Sequence, residues 1–367
     1  MPAKQTIVCP NCFQRHATEA FSYTCTHGNC ERSGLPIPAA DIHEENGNPL
    51  CPACKSALIE RLCPSCGYPV IIDDDSVPTL PVSIVGAEGC GKSNYLSVLI
   101  DQLRRRISKV YNCALYPLGG DETIHNYDSR YYQPLFVRGQ CITSTMQDEV
   151  TPLLYSLVFS GQPPLGKSCN LTLYDACGAN FRSEKVMADY NRSIYNARGI
   201  LYFIDPFQIP SVRESLKTTG RPVSNDDAST LLSRTIHLIR QGGNRKNIRR
   251  KIDIPIAVCL TKMDTIRPLL DPSSFLLYPS RHVNTGRFDI HDFTSSSLEV
   301  QSLLESWGEV EIVNQVTSQF ADYGFFGLSS LGSAPNDANA INHIVPHRVI
   351  DPILWILWKN RIISSTE

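Results

Sequence analysis

Gly86-Ala87-Glu88-Gly89-Cys90-Gly91-Lys92-Ser93 is the stretch whose reading decides the fold. It has the form G-x-x-x-x-G-K-S, and its flanks are those such a loop needs. Before it, Leu80 to Val85 is an apolar run suited to a buried strand. After it, Leu96, Leu99, Ile100, Leu103 and Ile107 recur at helical spacing. Glycines let the backbone curl until its N–H groups converge on anionic oxygens, and a helix start adds a positive dipole. Lys92 adds a charge, and the Ser93 hydroxyl is a ligand type suited to Mg²⁺. The stretch predicts a phosphate-binding loop between a buried strand and a helix.

The chain around it has 367 residues and a formal net charge of -2. That length suggests about two domains, and the charge balance gives no general call for nucleic acid or an anionic membrane. Cysteine stands out: there are 14. The six at Cys90, Cys113, Cys141, Cys169, Cys177 and Cys259 sit mostly in apolar contexts, as small buried thiols do in a reducing compartment. Met1 to Cys12 holds no apolar core run of the signal-peptide kind. Apolar stretches such as Ile353 to Trp358 are far shorter than the roughly 20 residues a spanning helix needs. The expectation is a cytoplasmic protein with no membrane segment.

The other eight cysteines precede residue 67, and six of them form C-P-x-C pairs at Cys9/Cys12, Cys51/Cys54 and Cys63/Cys66. Two thiolates separated by two residues in a tight turn meet one tetrahedral ion at about 2.3 Å each. The pairs at 51/54 and 63/66 lie close in sequence, a short zinc-ribbon spacing, so one Zn²⁺ is expected there. Cys9 and Cys12 then need two more ligands, for which Cys25 and Cys30 are the candidates, with His16 or His27 able to replace one. A disulfide framework is disfavoured because nothing suggests secretion. A thioredoxin-type site is disfavoured because no strand-helix pattern surrounds the pairs. Up to residue 75 there are nine Asp/Glu against five Lys/Arg, the wrong balance for phosphate contact. The module, residues 1–70, therefore reads as a docking or structural element whose folding free energy comes from two metal ions. Asp73-Asp74-Asp75-Ser76, followed by Pro78, marks a linker over 71–79.

Residues 80–367 read as one α/β domain, a mostly parallel sheet flanked by helices, with inserts at about 207–251 and 265–320. Lys109 to Val150 is polar and weakly periodic, and is expected to be a mobile nucleotide-sensing segment. Within it Thr143 or Thr145 could supply a Mg²⁺ ligand; a solvated Ser/Thr turn is the plainer alternative. Cys169 to Asp175 is an apolar run ending in Asp175, with Gly178 three further on, a D-x-x-G pattern that supports Mg²⁺ and the terminal phosphate when it follows a phosphate loop. Gly199 to Ile204 is a buried strand ending in Asp205, a lesser rival because Pro206 follows. Ile254 to Leu260 is another strand, ending in Thr261-Lys262-Met263-Asp264. A carboxylate in that T-K-x-D pattern can accept from both N1–H and the N2 amine of guanine, a donor pair adenine lacks. Ser329-Ser330-Leu331-Gly332 follows a further strand and could set a backbone N–H on guanine O6. Ile350, Ile353, Leu354, Leu357 and Trp358 mark a terminal amphipathic helix packed on the sheet.

In this order the motifs resemble those of the P-loop GTPases of the translation-factor and Ras-like class, over roughly residues 80–360. The strand Gly199 to Pro206, the inserts and the terminal helix also resemble the "double-GTPase" families of bacterial conflict systems. The resemblance implies GTP/GDP and Mg²⁺ as cofactors. Gly86, Gly89, Cys90, Gly91, Lys92, Ser93 and Asn94 would surround the phosphates. Ser93, with Thr143 or Thr145, would ligate Mg²⁺, supported by Asp175, and Gly178 would sense the γ-phosphate. Thr261, Lys262 and Asp264 would read guanine, helped by Ser329 and Ser330. Ras-like members place a water-orienting Gln after the D-x-x-G glycine; here Ala179 and Asn180 follow, which implies slow unaided hydrolysis. Arg138 is a candidate arginine finger in cis. The expected function is a GTP-hydrolysing switch that docks a protein partner through the zinc module or the segments 120–150 and 176–190. The alternative is a non-hydrolysing GTP-binding, sensing or assembly module. Members of the class often pair across the nucleotide, so a homo-oligomer is an implied arrangement.

Overall fold

The computed structural model describes residues 6–45, 47–71, 77–118, 121–142, 152–160, 167–175, 193–217, 227–242 and 250–366. A seven-stranded sheet organises everything after residue 77. Its strands are β9 (Thr79–Gly86), β10 (Cys113–Pro117), β11 (Leu153–Phe159), β12 (Cys169–Asp175), β13 (Gly199–Ile204), β14 (Ile256–Leu260) and β15 (Tyr323–Gly327), in the order β10-β11-β12-β9-β13-β14-β15. β11 runs against both its neighbours, and the other six strands point one way. From β9 the chain first fills the sheet on the β12 side, then crosses to β13. The order reverses at β9, and in open α/β sheets the carboxyl ends of the strands at such a reversal are where ligands bind.

Strand alternation divides the core. Leu80, Val82 and Ile84, Leu201 and Phe203, and Ala257 and Cys259 join one apolar cluster. Val85, Ile200, Tyr202, Ile204, Ile256, Val258 and Leu260 join the other. The first face is covered by helices α1 (Lys92–Gln102) and α7 (Asp351–Lys359), whose Leu96, Leu99, Leu354 and Trp355 are buried. The second is covered by α3 (Pro210–Leu216), α4 (Ala228–Gly242), α5 (Ile290–Ser306) and α6 (Val310–Gln319). Burying a Leu or Ile side chain is worth about 1.5–3 kcal/mol each, so both faces hold the sheet strongly.

Lys109 to Val150, polar and weakly periodic in sequence, is for its larger part built into regular elements. β10 lies in it, followed by helix α2 (Asp121–Tyr127) and a π-helical continuation, Asp128–Val137, packed against α1. Thr123, Tyr127, Tyr131 and Leu135 are buried, a stripe at four-residue spacing. The tyrosines and the internal Pro134 hid the stripe by making the stretch read as polar and broken. Thr143 and Thr145, and likewise Gly178, Ala179 and Asn180, lie outside the described residues.

The amino-terminal part is made of short strands: hairpins β1 (Thr6–Val8) with β2 (Arg15–Ala17) and β5 (His43–Glu45) with β6 (Asn48–Leu50), and a four-stranded sheet ordered β4 (Pro36–Ile37), β3 (Ser22–Thr24), β7 (Glu60–Leu62), β8 (Pro69–Ile71). Two small apolar clusters serve as its cores, and cysteines form most of each.

Candidate nucleotide site and cysteine centres

The loop after β9 is shaped by its glycines. Gly89 (φ +79°) and Gly91 (φ +93°) hold left-handed conformations that side chains resist. A Cβ on Gly86 would lie 2.7 Å from Cys90 Sγ and 2.9 Å from the Phe203 carbonyl oxygen. Within the curl, buried Lys92 donates from Nζ to the carbonyls of Gly86 (2.8 Å) and Ala87 (2.9 Å). Burial pushes the Cys90 thiol upward against the pull of Lys92, so it stays protonated beside the loop.

Ser93 and Asp175, 82 positions apart in sequence, meet because β12 pairs directly with β9. Ser93 Oγ donates to Asp175 Oδ2 at 2.6 Å, and Tyr131 OH donates to the same oxygen at 3.2 Å. Burial and the Asp175 charge push the Tyr131 phenol well above its ordinary value, so it remains a donor. No motif announces Tyr131; the four-residue stripe of the preceding helix is the signal that would have found it. Asn94 Oδ1 accepts the Ile142 N–H at 3.0 Å, and Arg138 is exposed at the end of the π-helical stretch. Asp205, the lesser rival, has other partners. It caps the turn Pro206–Gln208 and takes the Lys262 ammonium at 2.5 Å.

The residues expected to read the base gather at the ends of β14 and β15. The Thr261 N–H and hydroxyl both donate to the Ile204 carbonyl, at 2.9 and 3.1 Å. Lys262 adopts φ +53°, turning the chain so that Asp264 falls in the next helical turn, Met263–Ile266. Ser329 Oγ donates to Asp264 Oδ1 at 2.5 Å and accepts the Gly332 N–H at 2.9 Å. Lys262, reaching across to Asp205, has its ammonium 6.0 Å from the Phe207 ring centre. Ser330 is half-buried beside this pair.

The eight amino-terminal cysteines form two sets of four, but not those expected. Cys9 and Cys12 join Cys63 and Cys66; Cys25 and Cys30 join Cys51 and Cys54. The expected partnership of 51/54 with 63/66 is therefore corrected: one set nests inside the other. The pairing of β3 with β7 brings the two halves of the module together and decides it. Sequence proximity misled, because eight residues of separation say nothing about which strands pair. No histidine enters either set; the His16 ring meets the Ser65 hydroxyl at 3.1 Å.

Four sulfurs about 2.3 Å from one ion lie about 3.8 Å apart. Here Cys9–Cys66, Cys12–Cys63, Cys25–Cys54 and Cys30–Cys51 are separated by 3.7, 3.6, 3.6 and 3.7 Å. Backbone N–H groups of Asn11 and Arg32 point at Cys9 and Cys30 Sγ, both at 3.4 Å. Burial pushes Cys12 and Cys25 up to about 11 and about 12. The Ser56 hydroxyl and N–H hold Cys54 down at about 6. At Cys66 burial opposes ionisation, but the Tyr68 N–H, the Asn11 amide and neighbouring thiols prevail and hold it at about 7. The donor set, spacing and N–H···S contacts fit Zn²⁺ at both centres.

A third group, His282, Asp292 and Asp351, is of metal-ligating type but already occupied by side chains. The Arg348 guanidinium binds Asp292 Oδ1 and Oδ2 and Asp351 Oδ2, each at 2.9 Å. His282 Nδ1 accepts the Asp289 N–H at 2.9 Å. This is a buried ion cluster that ties α5 to α7.

No family model matches the chain. It is similar to SaeC of Mycolicibacterium smegmatis, a protein named for a proposed role in ESX-1 scaffolding and assembly. Identity is 26% over 324 residues, spanning 83% of this chain and 80% of SaeC. Among solved structures, the GTPase-like domain of Saccharomyces cerevisiae Ski7, bound to GTP, is 19% identical with a TM-score of 0.36, covering 80% of this chain and 54% of that one. The signal recognition particle receptor complex SRb-GTP/SRX of Chaetomium thermophilum is 12% identical with a TM-score of 0.32, covering 71% and 94%. The order and directions of this chain's own strands define its α/β fold. No helix among the described residues is long and apolar enough to cross a membrane.

Proposed function

We propose that this protein binds guanine nucleotide with Mg²⁺ and uses the bound state to control assembly with a protein partner. The observation that carries the reading is the meeting of Ser93 and Asp175 at the mouth of the glycine loop. A hydroxyl from the loop helix and a carboxylate from the neighbouring parallel strand are the pair that holds Mg²⁺ against phosphates in nucleotide-binding loops of this form. The Lys92 ammonium and the loop N–H groups would hold the phosphate oxygens. Asp264, oriented by Ser329, would accept from the guanine edge, and Lys262 would lie along the base. The bound nucleotide would supply a charge-dense, Mg²⁺-bridged ligand that differs between its di- and triphosphate forms. In this proposal Gly178 and Thr143 or Thr145 distinguish the two, Arg138 assists hydrolysis, and the two zinc centres hold the docking module in shape.

The second reading, a GTP-binding assembly module that does not hydrolyse, is favoured by the scaffolding and assembly role for which SaeC is named and by Ala179, which offers no side-chain amide to orient water. A place in a bacterial conflict system is the narrower form of either reading.

The test is competition among GTP, ATP and XTP for a fluorescent GTP analogue. GTP should displace it at least about tenfold better than ATP, since unpaired polar groups penalise the wrong base. Asp264→Asn should move preference toward XTP. Equal competition by ATP, or an unchanged preference in the variant, sinks the base assignment. Single-turnover hydrolysis separates the two readings.

A further inference from the structure

The outer cysteine set, Cys9/Cys12/Cys63/Cys66, is built against the strand that carries Asp175. Its first turn closes with the Phe13 N–H on the Cys9 carbonyl at 3.0 Å, and the turns at Cys51 and Cys63 close alike through Lys55 and Gly67. All three closing residues have positive φ: Phe13 +61°, Lys55 +59° and Gly67 +70°. Glycine is the easy choice there, and a bulky ring is the costly one. Phe13 has a use for the strained position: its ring packs edge-on to Tyr174, 4.8 Å between centres. The Tyr174 hydroxyl donates to the Pro10 carbonyl at 3.1 Å within the same turn. From the other side, Asn196 Nδ2 donates to the Phe13 carbonyl at 2.6 Å.

These contacts reach the nucleotide site in one residue. Tyr174 and Asp175 are neighbours on β12 and point to opposite faces, so Tyr174 faces the cysteine turn while Asp175 meets Ser93. Asn196 lies just ahead of β13, and β12 and β13 flank β9, the strand that leads into the loop. One turn of the outer cysteine centre thus holds β12 through Tyr174 and the segment leading into β13 through Asn196. The inner set is enclosed in its own apolar cluster with Ile37 and Leu58 and serves as an internal reference.

We propose that the outer centre and the nucleotide site are linked through Phe13, so that nucleotide in the loop slows zinc loss from Cys9, Cys12, Cys63 and Cys66. This rests on the nucleotide reading above. By reciprocity, a full outer centre tightens nucleotide binding by the same factor. Ligand that fixes Asp175 fixes β12 and its Tyr174, and the cysteine turn stays closed only while Tyr174 on one side and Asn196 on the other both hold it.

The experiment uses the full chain loaded with two zinc ions, and follows zinc transfer to a colorimetric chelator with and without saturating GTPγS. Binding of a fluorescent GTP analogue is measured on the same sample. One zinc equivalent should leave about fivefold or more slower with nucleotide, within the usual range of coupling factors, while the other is unchanged. In Phe13→Ala and Asn196→Ala the ratio should fall to about one, with zinc content still two per chain. Should Phe13→Ala fail to hold two zinc ions, Asn196→Ala, which lies outside the module, decides. Nucleotide binding without slower zinc loss in the wild-type chain, or slowing that survives in Asn196→Ala, overturns the link and leaves the nucleotide reading standing. A chain that binds no nucleotide overturns that reading and the link with it. A chain that holds no zinc overturns the link alone.

Discussion

Tyr131 shows what one side chain adds to a motif. Asp175 Oδ2 accepts from Ser93 and from Tyr131, so the carboxylate is positioned from the loop helix and from the helix beside it. Tyr131 is held in turn, because Ser97 Oγ donates to its carbonyl at 2.9 Å and its ring stacks on Tyr127. Hydrogen bonds to charged groups contribute about 1.5–3 kcal/mol. Tyr131→Phe should lower unfolding free energy by about that much while preserving the Ser93 contact. Denaturant titration of both proteins checks it, and a change within about 0.5 kcal/mol, the scatter of ordinary surface substitutions, would mean the bond carries nothing.

At the scale of elements, the Arg348 cluster joins α5, α7 and the chain between Phe275 and His282. Arg348 is 5% exposed, with φ +52°, and its guanidinium also donates to the Tyr278 and Phe275 carbonyls. Removing one partner of a buried ion pair costs about 3–5 kcal/mol because the remaining charge is stranded. Arg348→Met should destabilise by that order at pH 7. Burial alone would raise the Asp292 carboxyl, yet Arg348 outweighs it and holds the carboxyl below its ordinary range. A depressed carboxylate contributes stability above its unfolded pKa and loses it as pH falls through the folded one. Wild-type stability should therefore drop on acidification below about pH 4, the unfolded carboxylate range. In Arg348→Met, protonation relieves the stranded Asp292, so the gap to wild type should narrow with acid. Denaturant midpoints at pH 7 and pH 4 test this; a gap that widens contradicts it.

The elements themselves were unevenly legible. β9, β13, β14 and α7 announced themselves because long apolar runs and a strong 3.6-residue period need no partner to be recognised. α2 and its π-helical continuation did not, because their buried stripe is largely tyrosine and threonine, residues that read as polar until a packed neighbour accepts their hydroxyls.

For the whole molecule, the cores of the amino-terminal part are small and made largely of cysteine. Structural zinc contributes about 10–16 kcal/mol of apparent folding free energy per site, far more than such clusters supply. Excess EDTA should therefore unfold residues 6–71 while the seven-stranded sheet persists. Limited proteolysis after chelation should cut before residue 77 and leave a resistant fragment containing β9 to α7. Equal protection of the module with and without chelator would show that metal does not hold it.

The sequence by itself determined the chemistry available: a glycine loop with Lys92 and Ser93, a strand-end Asp175, the Thr261 to Asp264 turn, and four cysteine pairs. Each depends on residue type and on spacings of a few positions, which local backbone geometry enforces. The tertiary structure decided which of these meet. It put Asp175 beside Ser93 and gave Asp205 to Lys262, because β12 and β13 lie on opposite sides of β9. It nested the cysteine sets, because β3 pairs with β7. It set Phe13 against Tyr174, so the outer cysteine turn covers the face of the strand opposite Asp175. Such pairings are fixed by sheet order and shared burial, and those are properties of the whole chain closing on itself rather than of any spacing within it.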